Sequence, residues 1–184
     1  MSDAVKDRKF IVLFNWFDQG KDGYLTHEDF QRMAERFASV AQEEDQVNAT
    51  AMRDAVENWW GLLLAAGDTD ADGRLARPEF IEAMKSSVTS PGNFESAVLA
   101  IADALMSALD TNRDGLVESQ EYAHMYSALG VSPEHGSDAF RRLDRDGDGA
   151  ISHEEFRTAI REFYLSDDEN APGNWLIGPF GEPA

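Results

Sequence analysis

The sequence predicts an all-α protein made of four helix–loop–helix units that form two pairs. Three observations support this prediction. An acidic segment of twelve residues occurs four times, apolar residues at helical spacing flank each copy, and one apolar residue stands at the same position inside every copy. The copies occupy residues 18–29, 68–79, 110–121 and 144–155, and they are called loops 1 to 4.

Loops 2, 3 and 4 have the spacing of a calcium-binding loop. Each matches the pattern D-x-[DN]-x-[DN]-G-x5-E in full, and three chance matches in 184 residues are not credible. Calcium takes about six to eight oxygen ligands, which positions 1, 3, 5 and 12 supply from side chains and position 7 supplies from the backbone. The candidate ligands are Asp68, Asp70, Asp72, Arg74 and Glu79 in loop 2, Asp110, Asn112, Asp114, Leu116 and Glu121 in loop 3, and Asp144, Asp146, Asp148, Ala150 and Glu155 in loop 4.

Loop 1 is a degenerate copy of the same pattern. Its candidate ligands are Asp18, Asp22, Tyr24, Thr26 and Asp29. Gly20 removes the ligand at position 3, and Asp29 is a shorter carboxylate than the Glu usual at position 12. Two interpretations stay open: a loop that no longer binds metal, or a weaker six-coordinate fourth site that suits Mg²⁺ better than the other loops do.

Amphipathic helices are expected on both sides of every loop. Before loop 1 the apolar residues fall eight, five, four and one positions upstream, at Phe10, Leu13, Phe14 and Phe17. The other loops follow the same spacing, with Gly67 before loop 2 and Gly136 before loop 4 as exceptions.

The apolar residue at position 8 of each loop predicts short β bridges. These residues are Leu25, Leu75, Val117 and Ile151. We expect loop 1 to pair with loop 2 and loop 3 with loop 4, which divides the chain into an N-terminal pair (1–90), a C-terminal pair (91–170) and a tail (171–184). Pro91 and Gly92 place the connection between the pairs at residues 86–93. The wide gap between loops 1 and 2 predicts longer helices or an extra turn near residues 38–48.

The tail is expected to fold back between the two pairs. The last helix should end near Leu165, because the prolines and glycines beyond it do not permit a regular helix. Trp175, Leu176, Ile177 and Phe180 are too apolar to leave in water.

Composition narrows the class of protein. The net charge is −19, from 16 Lys and Arg against 35 Asp and Glu, and such a surface repels nucleic acid and anionic membranes. No apolar run approaches a membrane span, and no secretory leader is visible at the N-terminus. Cysteine is absent, which excludes disulfides and fits a reducing compartment. We expect a cytoplasmic monomer.

The sequence contains no recognisable catalytic group of residues, so we expect a protein that is not an enzyme. There is no Cys, no nucleophile elbow and no phosphate-binding glycine loop. Four histidines occur, at His27, His124, His135 and His153. His27 and His153 stand at position 10 of their loops, where we expect exposed polar side chains.

Features outside the loops resemble one family. The long first spacing, Asp29 at position 12 of loop 1, and the ending with Gly173, Asn174, Trp175 and Gly178 resemble the sarcoplasmic calcium-binding proteins and bacterial relatives such as calerythrin. The resemblance covers nearly the whole chain. It implies a compact domain of four EF-hands whose two lobes pack together, and a role in calcium and magnesium buffering. One departure is that loop 2, often degenerate in the family, is complete here.

Two alternatives remain open from the sequence. A calcium sensor would expose a hydrophobic groove for an unidentified protein target, although the methionines are scattered at spacings that suit a core. A luciferin-type binding protein shares the fold of the resembled family. If this chain is such a protein, a ligand cavity could be lined by Trp16, Trp59, Trp60 and Trp175.

Overall fold

The computed structural model describes residues 3–178 and confirms the predicted class. The helices of the N-terminal pair are α1 (Asp3–Phe17), α2 (His27–Ala38), α3 (Gln46–Gly67) and α4 (Arg77–Ala83), followed by a π-helical segment (Met84–Val88). Those of the C-terminal pair are α5 (Pro91–Phe94), a π-helical segment (Glu95–Leu99), α6 (Ala100–Leu109), α7 (Ser119–Ala128), α8 (Pro133–Leu143) and α9 (His153–Leu165). The last helix ends at the predicted residue.

Four short strands join the loops in pairs, as predicted. They are β1 (Tyr24–Leu25), β2 (Leu75–Ala76), β3 (Leu116–Glu118) and β4 (Ala150–Ser152). Leu25 lies opposite Leu75 and Val117 lies opposite Ile151, both in antiparallel register. All four of these side chains are fully buried, so the bridges anchor each pair of loops to the core.

The wide spacing between loops 1 and 2 has two structural causes. Helix α3 is 22 residues long, and a turn over residues 39–45 precedes it. The Asp45 side chain caps this helix by accepting from the amide of Asn48. The sequence predicted either longer helices or an extra turn here, and the structure has both.

The connection between the pairs is mostly helical. The π-helical segment runs to Val88, the chain turns at Thr89 and Ser90, and Pro91 begins α5 at a position where its missing N–H costs nothing. Val88 and Phe94 on either side of the turn are buried. We propose the boundary between the two pairs at this turn.

Both pairs share one core. The Trp59 ring of α3 lies 5.4 Å from Phe17 of α1 and 6.1 Å from Tyr164 of α9, measured between centroids. Lys9 of α1 is fully buried, and its Nζ donates to the carbonyls of Glu162 and Ser166 at the end of α9, at 2.9 and 2.8 Å. Burial lowers the pKa of the Lys9 ammonium to about 8.

Gly67 and Gly136, the two glycines that interrupt the apolar spacing before loops 2 and 4, lie where helices pack closely. A Cβ at Gly67 would lie 3.0 Å from the Cβ of Ala83 and from the carbonyl oxygen of Glu79. A Cβ at Gly136 would lie 3.2 Å from the ring of Tyr126. A larger residue at either position would push the neighbouring helix away.

The described part of the tail, residues 171–178, lies against the C-terminal pair. A 3₁₀ turn (Pro172–Trp175) packs on α8 and α9, Leu176 is buried, and its carbonyl accepts from the hydroxyl of Tyr126. Trp175 is only half-buried, with the guanidinium of Arg142 in α8 3.9 Å from the centroid of its ring. The predicted contribution of Phe180 lies outside the described residues.

Candidate metal centre

The backbone of each loop turns at two left-handed positions. At position 6 the φ angles are 83° at Gly23, 77° at Gly73, 82° at Gly115 and 91° at Gly149. At position 4 they are 53° at Lys21, 59° at Ala71, 61° at Arg113 and 72° at Gly147. The sequence revealed position 6 through its glycines. It did not reveal position 4, because three of those four residues are not glycine.

These turns aim backbone amides at the Asp of position 1. In loops 1 to 4 the amide nitrogen of the position 6 glycine lies 3.0, 3.1, 2.9 and 3.1 Å from an oxygen of that carboxylate. The carboxylate is thereby held at the end of the preceding helix with the loop wrapped around it. The same arrangement in all four loops gives each one the shape of a cation site.

The Glu at position 12 spans the opening of loops 2, 3 and 4. One of its oxygens accepts from the amide at position 9, at 3.0 Å for Glu79, 3.0 Å for Glu121 and 2.8 Å for Glu155. The other accepts from residue 2 of the same loop, where the donors are Thr69, Thr111 and Arg145. Hydrogen bonds from the Ala76 amide and from Thr69 lower the pKa of the Glu79 carboxyl. In each of these loops, both oxygens of the Glu carboxylate therefore bond to donors of their own loop.

Loops 2 and 4 each bring three carboxylates close together. Asp68, Asp70 and Asp72 in loop 2 each place a carboxylate oxygen within 4.8 Å of the others, and Asp144, Asp146 and Glu155 do the same in loop 4. In loop 3 the amide of Asn112 donates to Asp114 at 2.9 Å. An all-oxygen set of this kind fits a hard divalent cation. A bound calcium would offset the repulsion among these carboxylates.

Loop 1 differs at its closing residue. One oxygen of Asp29 accepts from the amide and hydroxyl of Thr26, at 2.9 and 2.8 Å. The other accepts from the guanidinium of Arg32 at 2.9 Å, so it does not bridge to position 2 of the loop. Asp18 and Asp29 are both buried. Both interpretations of loop 1, metal-free or weaker and magnesium-preferring, remain proposals.

One of the two loop histidines differs from the expectation of exposed polar side chains. The His27 side chain is 45% exposed, as expected, with Nε2 2.8 Å from a carboxylate oxygen of Glu57 and its ring stacked on Trp60. His153 is half-buried instead, and its buried Nε2 has no hydrogen-bond partner within residues 3–178. Packing at the exit of loop 4, which local sequence does not describe, covers part of the His153 ring.

Comparison with known proteins agrees with this geometry. A model of the EF-hand domain pair matches residues 7–85, and an EF-hand model matches residues 101–126 and 137–160. A sarcoplasmic calcium-binding protein from Perinereis vancaurica tetradentata is 32% identical over 94% of this chain and 96% of its own length. Calerythrin from Saccharopolyspora erythraea is 24% identical over 90% of this chain and 95% of its own.

A solved structure supports the same grouping. A calcium-binding protein from Streptomyces coelicolor, described in terms of prokaryotic calcium-mediated regulation, superposes with a TM-score of 0.68. It is 28% identical and covers 86% of this chain and 97% of its own. This chain therefore belongs to the EF-hand calcium-binding proteins and, among them, to the family of the sarcoplasmic calcium-binding proteins and calerythrin. No helix within residues 3–178 is long and apolar enough to cross a membrane.

Replacing Glu155 with Gln is expected to remove one calcium ion from the binding stoichiometry. The change removes the carboxylate that closes loop 4 and should also weaken loop 3 about threefold through the bridge of Val117 with Ile151. Isothermal titration calorimetry measures both effects. Glu154→Gln is the matched control, because it removes the same charge from an exposed neighbour. An unchanged stoichiometry in Glu155→Gln would exclude loop 4 as a site.

Proposed function

We propose that this protein is a calcium and magnesium buffer of the sarcoplasmic type, acting as a cytoplasmic monomer without enzymatic activity. Loops 2, 3 and 4 would be the strong calcium sites, and loop 1 a weaker site that accepts magnesium. The observation that carries the proposal is that the apolar space between the two pairs is already occupied by this chain's own side chains.

The tail contributes to that occupation. Leu176 and Ile177 line a small cavity of about 60 Å³ together with Trp16, Trp59 and Tyr164, residues that come from both pairs. A target helix would need the same space. The tail therefore stands where a sensor would bind its partner, which favours a buffer.

The methionines support the same function. A sensor presents flexible methionine side chains to its target on an opened surface. The methionines of the described residues are all in the core, at most 2% exposed: Met33, Met52, Met84, Met106 and Met125. They pack the fold rather than offering a binding face.

Binding of a hydrophobic dye tests buffer against sensor. For a buffer, the fluorescence of the dye with the intact protein should be the same with calcium and with magnesium. Calorimetric titration with calcium, with and without millimolar magnesium, should show competition between the two ions. A large rise in dye fluorescence that calcium alone produces would instead indicate a sensor with an unidentified protein target.

A luciferin-type small molecule is the second candidate ligand. The same central cavity favours it, because it is lined by aromatic rings, and the indole nitrogens of Trp16 and Trp59 are buried without a partner in the described part of the chain. Its volume of about 60 Å³ is far below the roughly 300 Å³ of ordinary ligand sites. Binding would therefore require Leu176 and Ile177 to move out, and a chromophore absorbing in the purified protein would reveal it.

A further inference from the structure

Two arginines contact calcium-ligand candidates in the N-terminal pair. The guanidinium of Arg74 lies 2.8 and 3.1 Å from one oxygen of Asp72, which is position 5 of loop 2. The guanidinium of Arg32 lies 2.9 Å from an oxygen of Asp29, which closes loop 1 and is only 5% exposed. Each loop of this pair thus has one ligand carboxylate already bound to a cation.

Arg74 also acts between the two loops. Its guanidinium lies 4.4 Å from the centroid of the Tyr24 ring, and Tyr24 is position 7 of loop 1. The two loops are held together there by the pairing of Tyr24 with Ala76. The position of Arg74 therefore puts its positive charge beside both sites at once.

The C-terminal pair has no such contact within residues 3–178. The candidate ligands of loops 3 and 4 accept from backbone amides, from the hydroxyls of Thr111 and Ser152, and from the amide of Asn112. The guanidinium of Arg145 in loop 4 pairs with Glu162, which is not a candidate ligand, at 2.7 Å. Within residues 3–178, no ion pair with arginine or lysine therefore compensates the charge of these ligands.

We infer that Arg32 and Arg74 set the calcium affinity of the N-terminal pair below that of the C-terminal pair, so that loops 3 and 4 fill before loops 1 and 2. This inference rests on the ligands of the proposed function. A guanidinium beside a ligand oxygen repels an incoming dication and competes for the same lone pairs. In loops 1 and 2 the arginines therefore already compensate part of the ligand charge, which lowers the affinity for calcium.

The structure supplies one reporter for each loop. The amides of Gly23, Gly73, Gly115 and Gly149 each donate to the first carboxylate of their own loop. Their resonances in a ¹H–¹⁵N correlation spectrum should move when that loop binds metal. In a calcium titration of the wild type, we expect the Gly115 and Gly149 signals to move at lower calcium than those of Gly73 and Gly23.

Substitution of Arg32 and Arg74 tests whether these arginines cause the lower calcium affinity of the N-terminal pair. Arg74→Gln should raise the calcium affinity of loop 2 about fivefold, and Arg32→Gln should raise that of loop 1 by a similar factor. Arg74→Lys keeps the charge and should stay near wild type. Arg53→Gln is the matched control, because Arg53 of α3 makes an equivalent two-contact pair with Glu35, which is not a ligand.

The outcomes are separable from those of the proposed function. If the Gly115 and Gly149 signals do not respond to calcium, the proposed function itself fails. If all four respond together, or if Arg74→Gln matches Arg53→Gln, calcium still binds but the inference is overturned. Arg74→Gln is the decisive variant, since its partner Asp72 is not buried and a melting curve without metal verifies its folding.

Discussion

Calcium is expected to raise the melting temperature of this protein by about 15–30 °C. Fourteen candidate carboxylate ligands are held in four loops of a chain whose net charge is −19. In loop 2 the oxygens of Asp68, Asp70 and Asp72 lie within 4.8 Å of one another, so they repel strongly when no metal is bound. At a hundredfold excess over Kd, each site stabilises the folded form by about 2.7 kcal/mol, or roughly 8 kcal/mol for three sites.

Circular dichroism melting in chelator and in calcium measures this effect. Sodium chloride at matched ionic strength is the control for general screening of charge. A variant that combines Glu79→Gln, Glu121→Gln and Glu155→Gln should lose most of the rise, because it opens all three complete loops. Coincident melting curves with and without calcium for the wild-type protein would contradict the prediction.

Replacing Gly173 with Ala is expected to detach the tail. A Cβ at this residue would lie 2.2 Å from the carbonyl oxygen of Ala159 and 2.7 Å from the Cβ of Glu162, both on α9. The Gly173 amide also donates to the Glu162 carboxylate at 2.8 Å, a bond that the displaced chain would lose. We expect the free energy of unfolding to fall by about 1–3 kcal/mol.

Detachment should also uncover the surface beneath Leu176. The calcium form of Gly173→Ala should bind a hydrophobic dye, and the Trp175 fluorescence should shift towards that of a solvated indole. Removal of residues 171–184 should reproduce both changes. Gly92→Ala is the control, because nothing lies within 4 Å of a Cβ there. If Gly173→Ala and the truncated chain both behave like wild type, the tail does not close the space between the pairs.

Much of the candidate site was predictable because it is local. The loop pattern, the capping box of Ser152 with Glu155 and the pairing of Leu25 with Leu75 all follow from residue spacing within or between the repeats. The pairing of Arg32 with Asp29 was also within reach, since the two are three residues apart on one helix. The left-handed backbone at Ala71 was not predictable, because alanine does not favour that conformation.

Contacts between distant residues were decided by the tertiary structure. The sequence indicated that the tail is apolar, but packing against α8 and α9 determined that Leu176 is buried while Trp175 stays half-exposed beneath Arg142. Packing also covered part of the His153 ring.

The sequence by itself therefore determined the four loops, their pairing and the class of ion they suit. Each of these depends on chemistry within about twelve residues, where spacing alone sets which oxygens can meet. The tertiary structure alone decided how the pairs and the tail close on one another. Lys9 bonding to Glu162, 153 residues away, is such a case, because burial depends on what the whole chain brings together.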